Sequence, residues 1–199
     1  HRWFLIANYA CARVGARTIM LNTEFSGPQI RDVSAREGAK VIIYDDEYTE
    51  AVKLAETPLG KLRALGTNPD VSEPSGSTDE TLAELIARSS TAPPPKATKR
   101  SSIIILTSGT TGTPKGANRH APPTLAPIGG VLSHVPFKSG EVTSLQSPMF
   151  HALGYLHATI AMTLGSTLIL HRRFKPATVL EDVPKHGVTA IVVVPVMLS

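Results

Sequence analysis

The chain has 199 residues, 42% of them hydrophobic and 18% charged, a balance that supplies apolar surface for one large domain or two small ones and excludes a disordered chain. Its single cysteine, Cys11, excludes an intramolecular disulfide and a multi-cysteine zinc site and points to a reducing, cytoplasmic setting. The net charge is +4, but Lys and Arg are scattered and there is one tryptophan, so the balance reads as a solvated surface suited to small anions and not as a nucleic-acid face.

In chain order, WFLIANYACARVGA reads as a helix, apolar on nearly every side and stopped at Gly15. RTIMLN (17–22) is a strand. GPQIRDVSAREG then places Ile30 and Val33 on one helical face, with Pro28 in the first turn and Gly38 as the stop. KVIIYD (40–45) is the next strand, and Asp45 or Asp46 is expected to cap a helix running through Ala55. KLRAL gives a further short strand, and Ser77 with Glu80 matches a capping box ahead of TLAELIARS. This alternation predicts an α/β fold with a largely parallel sheet covered by helices.

SSTAPPPKATKR (89–100) is polar, proline-rich and basic, so it reads as a surface linker between a first lobe at 1–88 and a second at 101–199. SSIIIL opens the second lobe as a strand. Its other strands are VTSLQS (142–147), STLIL (166–170) and VTAIVVV (188–194). HALGYLHATIAMTLG and PATVLEDVPKHG are the helices between them, each closed by a glycine. Neither a membrane-spanning run nor a signal peptide is expected. The chain opens at His1 without a methionine and stops just after a buried-type strand, so a piece of a longer polypeptide is expected.

The segment LTSGTTGTPKGANR (106–119) stands apart chemically. It follows a buried strand, where open α/β sheets place their ligands. Gly109, Gly112 and Gly116 free the backbone to turn its N–H groups toward a target. Thr107, Ser108, Thr110, Thr111 and Thr113 add hydroxyls, and Lys115 adds a mobile positive charge. A phosphate chain is the target that uses all of these at once. The Walker A pattern fails, because Gly112 is followed by Thr113 and Pro114, and Lys115 by a glycine.

TSGTTGTPKG (107–116) resembles, over all ten residues, the signature phosphate loop of the adenylate-forming superfamily, which includes acyl-CoA synthetases, luciferase and peptide-synthetase adenylation domains. SPMFHALG (147–154) is similar to the P-x-F-H-x-x-G segment of fatty acyl-CoA synthetases, and RRFKP (172–176) resembles the stretch that follows it in them. GARTIMLNTEFSGPQI is similar to their N-terminal region, so the resemblance spans essentially the whole chain. It implies the fold of the large N-terminal domain of an adenylate-forming enzyme. It also implies a two-step reaction, in which a carboxylate attacks the α-phosphate of ATP to give acyl-AMP and pyrophosphate, and coenzyme A then takes the acyl group as a thioester. Magnesium would accompany the ATP.

By the same resemblance, Thr107 to Gly116 would hold the β- and γ-phosphates, with Lys115 offsetting charge on the departing pyrophosphate. His151 would position the acyl carboxylate or gate the thiol, beside Phe150 and Gly154. Tyr155 and Met162, with Leu153, Leu156 and Ile160, would line an acyl tunnel, and core packing is an equally open reading of each. His157, His171 and His186 read as structural or solvent-exposed. The implied partners are a fatty acid, ATP and coenzyme A, with peripheral membrane contact allowed and a C-terminal domain of the same polypeptide supplying the adenylation lysine. The later family motifs for adenine, metal and ribose have no counterpart in these residues. After Gly116 the proline-rich ANRHAPPTLAPIGG departs from the family, and Pro122 and Pro123 are expected to delay the next helix. Two other classes remain open at this level: an aryl- or amino-acid-adenylating enzyme, and a phosphate-binding module without chemistry.

Overall fold

A computed structural model describes residues 1–64, 76–107, 115–120 and 126–198, and at 107, 115–120 and 126–127 the description is of the backbone. Two compact units, His1–Ala121 and Pro122–Ser199, make up the chain.

In the first unit, α1 (Arg2–Arg13) leads through Gly15, at φ 71°, into β1 (Arg17–Met20). The next helix, α2 (Gly27–Arg36), starts where the sequence predicts. Pro28 lies in its first turn, and the Ser26 N–H donates to the Gln29 side-chain oxygen at 2.8 Å, which satisfies an amide left free at the helix start. Its apolar face is split between two cores. Ile30 packs with Ile42, Tyr44, Val52 and Ala55, whereas Val33 packs with Ile104 and Leu106. A single helical face therefore bridges two small sheets.

The first of these sheets runs in the order β2 (Ile42–Asp45), β3 (Lys61–Ala64), β4 (Glu80–Thr81), all parallel. Neither Asp45 nor Asp46 caps the helix expected after β2. Asp45 pairs with His1 at 2.6 Å and Asp46 accepts from Arg63 at 2.9 Å. The chain makes one 3-10 turn, Asp46–Tyr48, before the four-residue α3 (Thr49–Val52).

The expected capping box is also displaced. Residues 77–80 and 81–84 both carry the pattern, and the second forms it, ahead of α4 (Leu82–Arg88). The Glu84 N–H donates to Thr81 Oγ1 at 3.1 Å, and the Thr81 N–H donates to the Glu84 carboxylate at 2.8 Å. Pairing of Leu62 with Glu80 keeps Glu80 extended in β4, so a helix cannot start before it. Its carboxylate takes Arg88 at 2.5 and 2.8 Å instead, and Ser77 bonds the Tyr44 hydroxyl.

The other sheet has the order β1, β5 (Ser102–Thr107), β6 (Lys115–His120). Parallel pairing of Arg17 to Met20 with Ser102 to Ile105 places β5 in the first unit. The division between units thus falls at 121/122 and not at the 89–100 segment expected as linker. That segment is largely exposed, yet its end presses on the α1–β1 turn: a Cβ added at Gly15 would meet the Lys99 backbone and, at 3.1 Å, the Ala97 side chain. Polar, proline-rich composition marks chain at the surface, and such chain can run over one body as well as between two. β6 is a second departure from the sequence reading. It pairs antiparallel with β5, on the far side from the parallel β1.

The second unit contains α5 (Ala126–Leu132), β7 (Val142–Leu145), α6 (Ala152–Thr163), β8 (Thr167–Leu170), α7 (Pro176–His186) and β9 (Ala190–Val192). Its sheet is wholly parallel in the order β8, β7, β9. Leu145, Ala158, Ile160, Ala161, Val179 and Val192 are buried in this unit. The glycine stops hold: Gly165 follows α6 at φ 65°, and Gly187 ends α7 in the left-handed region with its N–H on the Val183 carbonyl. Among the described residues no helix is long and apolar enough to cross a membrane.

Candidate active site

The two segments singled out by sequence lie in different compact units. In the first unit, Ile104, Ile105 and Leu106 of β5 are buried, which gives the strand a fixed base. The ladder with β6 runs up to Leu106 opposite Gly116 and Thr107 opposite Lys115. Lys115 therefore starts its strand directly across from the last residue of β5. Ser108, Gly109, Thr110, Thr111, Gly112 and Thr113 lie outside the described residues, as do Pro122 and Pro123.

In the second unit the topology marks its own ligand position. From central β7 the chain passes through α6 to β8 on one side and then returns through α7 to β9 on the other. The carboxyl end of β7 beside β9 is thus the point where strand order reverses, the usual place for a crevice in open parallel sheets. Residues 146–151 leave β7 there. The N–H groups of Gln146 and Ser147 both donate to the Val192 carbonyl, at 3.0 and 3.3 Å. The Gln146 side chain donates to Ser144 Oγ at 2.8 Å. Gln146 was not among the residues singled out by sequence, and Ser147 entered only as the first residue of the 147–154 segment, without a role. The signal available in sequence was polar residues closing the core-type strand VTSLQS; the structure buries them, as expected where a bond or a ligand satisfies a polar group.

His151 occupies the N-cap of α6 in an extended conformation, φ −93° and ψ 154°. Its N–H donates to the Pro148 carbonyl at 3.1 Å, and its own carbonyl accepts from the Tyr155 N–H at 3.0 Å. The imidazole is exposed and tilts at 50° against the Phe150 ring, 4.4 Å between centroids. Its backbone is held while the residue as a whole remains exposed. Gly154 is buried one helical turn further on.

The apolar candidates separate. Ile160 is 1% exposed and belongs to the core, where Phe137, Thr143, His157 and Ala161 close around it without water-sized space. Leu153 and Met162 are exposed, and Tyr155 and Leu156 are partly buried. The other histidines are tied into the unit. His157 bonds the Leu153 carbonyl at 2.9 Å, and His171 meets the buried Asp182 at 2.5 Å, with His186 3.6 Å from the other carboxylate oxygen. Among the described residues no three His, Cys, Asp or Glu side chains are grouped to hold a metal ion.

In the first unit, protonation equilibria around β4 and α4 are perturbed. Burial pushes the Tyr44 hydroxyl up from its ordinary value. Arg88 holds Glu80 below the usual carboxylate range, and the Thr81 N–H and hydroxyl do the same for Glu84. These groups fasten β4 and α4 in place.

The family model described as AMP-binding enzyme matches residues 1–199. A feruloyl-CoA synthase of Amycolatopsis sp is 30% identical over 205 residues, covering 99% of this chain and 37% of the synthase. A fatty acid–[acyl-carrier-protein] ligase, ScoC, of Streptomyces coeruleorubidus is 26% identical over 202 residues, covering 96% of this chain and 36% of the ligase. Among solved structures, the inhibitor-bound N-terminal domain of FACL13 from Mycobacterium tuberculosis superposes with a TM-score of 0.78 at 24% identity, covering 98% of this chain and 48% of that one. The chain thus spans little more than a third of the length of these curated relatives and shares the α/β fold of that N-terminal domain.

Proposed function

This chain belongs to the AMP-binding enzyme family, and on that premise we propose that it carries the phosphate-binding and acyl-positioning elements of an ATP-dependent acid–thiol ligase acting on a fatty acid. The reaction has two steps. A carboxylate oxygen attacks the α-phosphorus of ATP, forming acyl-AMP as the bond to pyrophosphate breaks. The thiol of coenzyme A then attacks the acyl carbon, AMP leaves, and the thiol proton passes to solvent or to a base.

The observation that carries this reading is the mounting of the segment 107–116. Its two ends are paired, Thr107 to Lys115, on a strand anchored by three buried aliphatic residues. Glycine amides, hydroxyls and one lysine between and beside those ends form a donor set that suits phosphate oxygens. In this reading Thr107 to Thr113 bind the β- and γ-phosphates, Gly116 lets the chain pass close to them, and Lys115 offsets charge gathering on the pyrophosphate. Magnesium keeps water and phosphate oxygens as most of its ligands, so it enters with the nucleotide. His151, with Phe150, orients the acyl carboxylate and guards the thiol path. The remaining parts of the reaction, adenine and ribose binding and the adenylation lysine, belong to further segments of the complete polypeptide. The setting is cytoplasmic.

The fatty acyl assignment rests on the resemblance at 147–154 and 172–176. An aromatic acid is the second reading, favoured by the 30% identity to a feruloyl-CoA synthase. Pyrophosphate exchange into ATP, run on the complete polypeptide with a fatty acid and with a hydroxycinnamate, separates the two by which acid supports exchange. Lys115→Ala is expected to slow exchange about 30- to 150-fold, the equivalent of ~2–3 kcal/mol for a charge-assisted contact, with little change in acid binding. Equal exchange by variant and wild type refutes the role of Lys115.

A further inference from the structure

We propose that Gly154 is a positioning residue for His151, acting through the absence of a side chain where the Ser147–Pro148 backbone folds onto the first turn of α6. The proposal deepens the reading of His151 as an acyl-site residue and rests on it. Glycine is needed either for a positive φ or for close approach of another backbone. Gly154 is helical and is not among the glycines with positive φ, so approach is the reason that remains. A Cβ built at Gly154 would lie 2.6 Å from the Pro148 carbonyl carbon and 2.7 Å from the Ser147 oxygen, with the Pro148 oxygen nearer still. All three are backbone atoms, so no change of rotamer relieves the clash. The glycine also opposes its own helix, since alanine is the better helix former at such a position.

The clash reaches His151 through a short series of bonds. The Pro148 carbonyl that a Cβ would strike is the same one that accepts the His151 N–H. At its other end the loop is fastened by two N–H groups on the Val192 carbonyl. The loop therefore cannot retreat toward β9 as a body. Displacement has to be taken up between Pro148 and His151, where the Phe150 and His151 rings meet. Restoring ordinary van der Waals separation needs the Pro148 carbonyl to move by about 1 Å, a displacement that costs about 100-fold when passed to a reacting group.

The test is a double-mutant cycle in the complete polypeptide with Gly154→Ala and His151→Ala, reading thioester formation and the KM for ATP. Gly154→Ala is expected to lower kcat by no more than His151→Ala does, about 10- to 100-fold, with the KM for ATP within about 2-fold, and to add less than about 3-fold once His151 is alanine. Wild-type turnover in Gly154→Ala, or losses that multiply across the cycle, overturns the proposal. Gly129→Ala, in α5 with nothing within 4 Å of an added Cβ, is the control expected to leave turnover unchanged. If Gly154→Ala loses its cooperative melt, Pro148→Gly is added to give the loop freedom to yield. The melt is then expected to return while the loss of turnover stays, and wild-type turnover in that double variant overturns the proposal. A separate arm compares the His151 imidazole resonances of folded wild type and Gly154→Ala by NMR. A changed ring-current shift from Phe150 is expected, and superimposable spectra refute the positioning role. This arm is independent of turnover: a polypeptide that activates no acid sinks the functional reading, while the spectra still decide what Gly154 does.

Discussion

Replacing Val33 by alanine tests whether α2 fastens β5, the strand that leads into the proposed phosphate segment. Val33 is completely buried against Ile104 and Leu106, with Ile19, Leu21 and Phe25 around them. The substitution removes two methyl groups from a packed site. Their transfer accounts for ~1.6 kcal/mol at about 0.8 kcal/mol per group, and the cavity left between helix and strand raises the loss to ~2–3 kcal/mol. For a chain of this size that corresponds to a fall in Tm of about 5–10 °C. Thermal and urea melts measure it, with Val14→Ala, at a half-exposed position, expected to stay within about 0.5 kcal/mol of wild type. Hydrogen exchange at the β5 amides is expected to quicken in Val33→Ala, because the face that clamps the strand has been thinned. Coincident melts for the two variants, or unchanged β5 exchange, would refute the picture of one helical face bracing β5.

Two further outcomes are expected. His151→Ala lowers acyl-CoA release ~10- to 100-fold while ATP affinity is retained, because its proposed contacts are to the acyl carboxylate and the thiol and not to the β- and γ-phosphates; comparing acyl-AMP accumulation with thioester release checks it, and a collapse of ATP affinity alone places His151 at the wrong site. Glu84 is held below the usual carboxylate range by the Thr81 N–H and hydroxyl, so its stabilising contribution is present above the unfolded-state value and is lost as pH falls through the lowered folded value. Glu84→Gln keeps a partner for the cap and removes the titration, so its Tm is expected to fall less than that of wild type between about pH 6 and about pH 3; parallel acid profiles refute the assignment.

Why some elements were legible and others were not follows from competing signals in the chain. SIIIL declared a strand because its apolar run is short, rich in β-branched isoleucine and bounded by polar and glycine-rich chain. KGANRH carried no apolar alternation, and its glycine and asparagine argued for loop, so β6 was missed. Its pairing comes from β5, a partner that lies outside the segment's own composition. The capping box failed for a different reason. Two identical patterns stood four residues apart, and what chose between them was a strand pair at Leu62 and Glu80. Local propensity is silent on that pairing.

The candidate site divides along the same line. Residues 107–116 stood out because glycines, hydroxyls and a lysine close together in sequence have no use in a core, which left a flexible Gly/Thr turn as the competitor of the phosphate-binding reading. Apolar residues on α6 had such a competitor at every position. Ile160 proved to be core and Met162 to be exposed, although both stand in the same helical run. Gly154 shows the subtlest case. A motif marks the glycine, and a ligand pressed against it is the natural first reading. The atoms that actually crowd it are the carbonyls of Ser147 and Pro148, seven and six residues earlier, brought there by a loop whose path depends on Val192 across the sheet. A glycine within a binding motif therefore calls for two separate questions, what it touches and what it permits to touch it. For Gly154 the second has the clearer answer: it permits a backbone to approach, and that backbone holds the histidine.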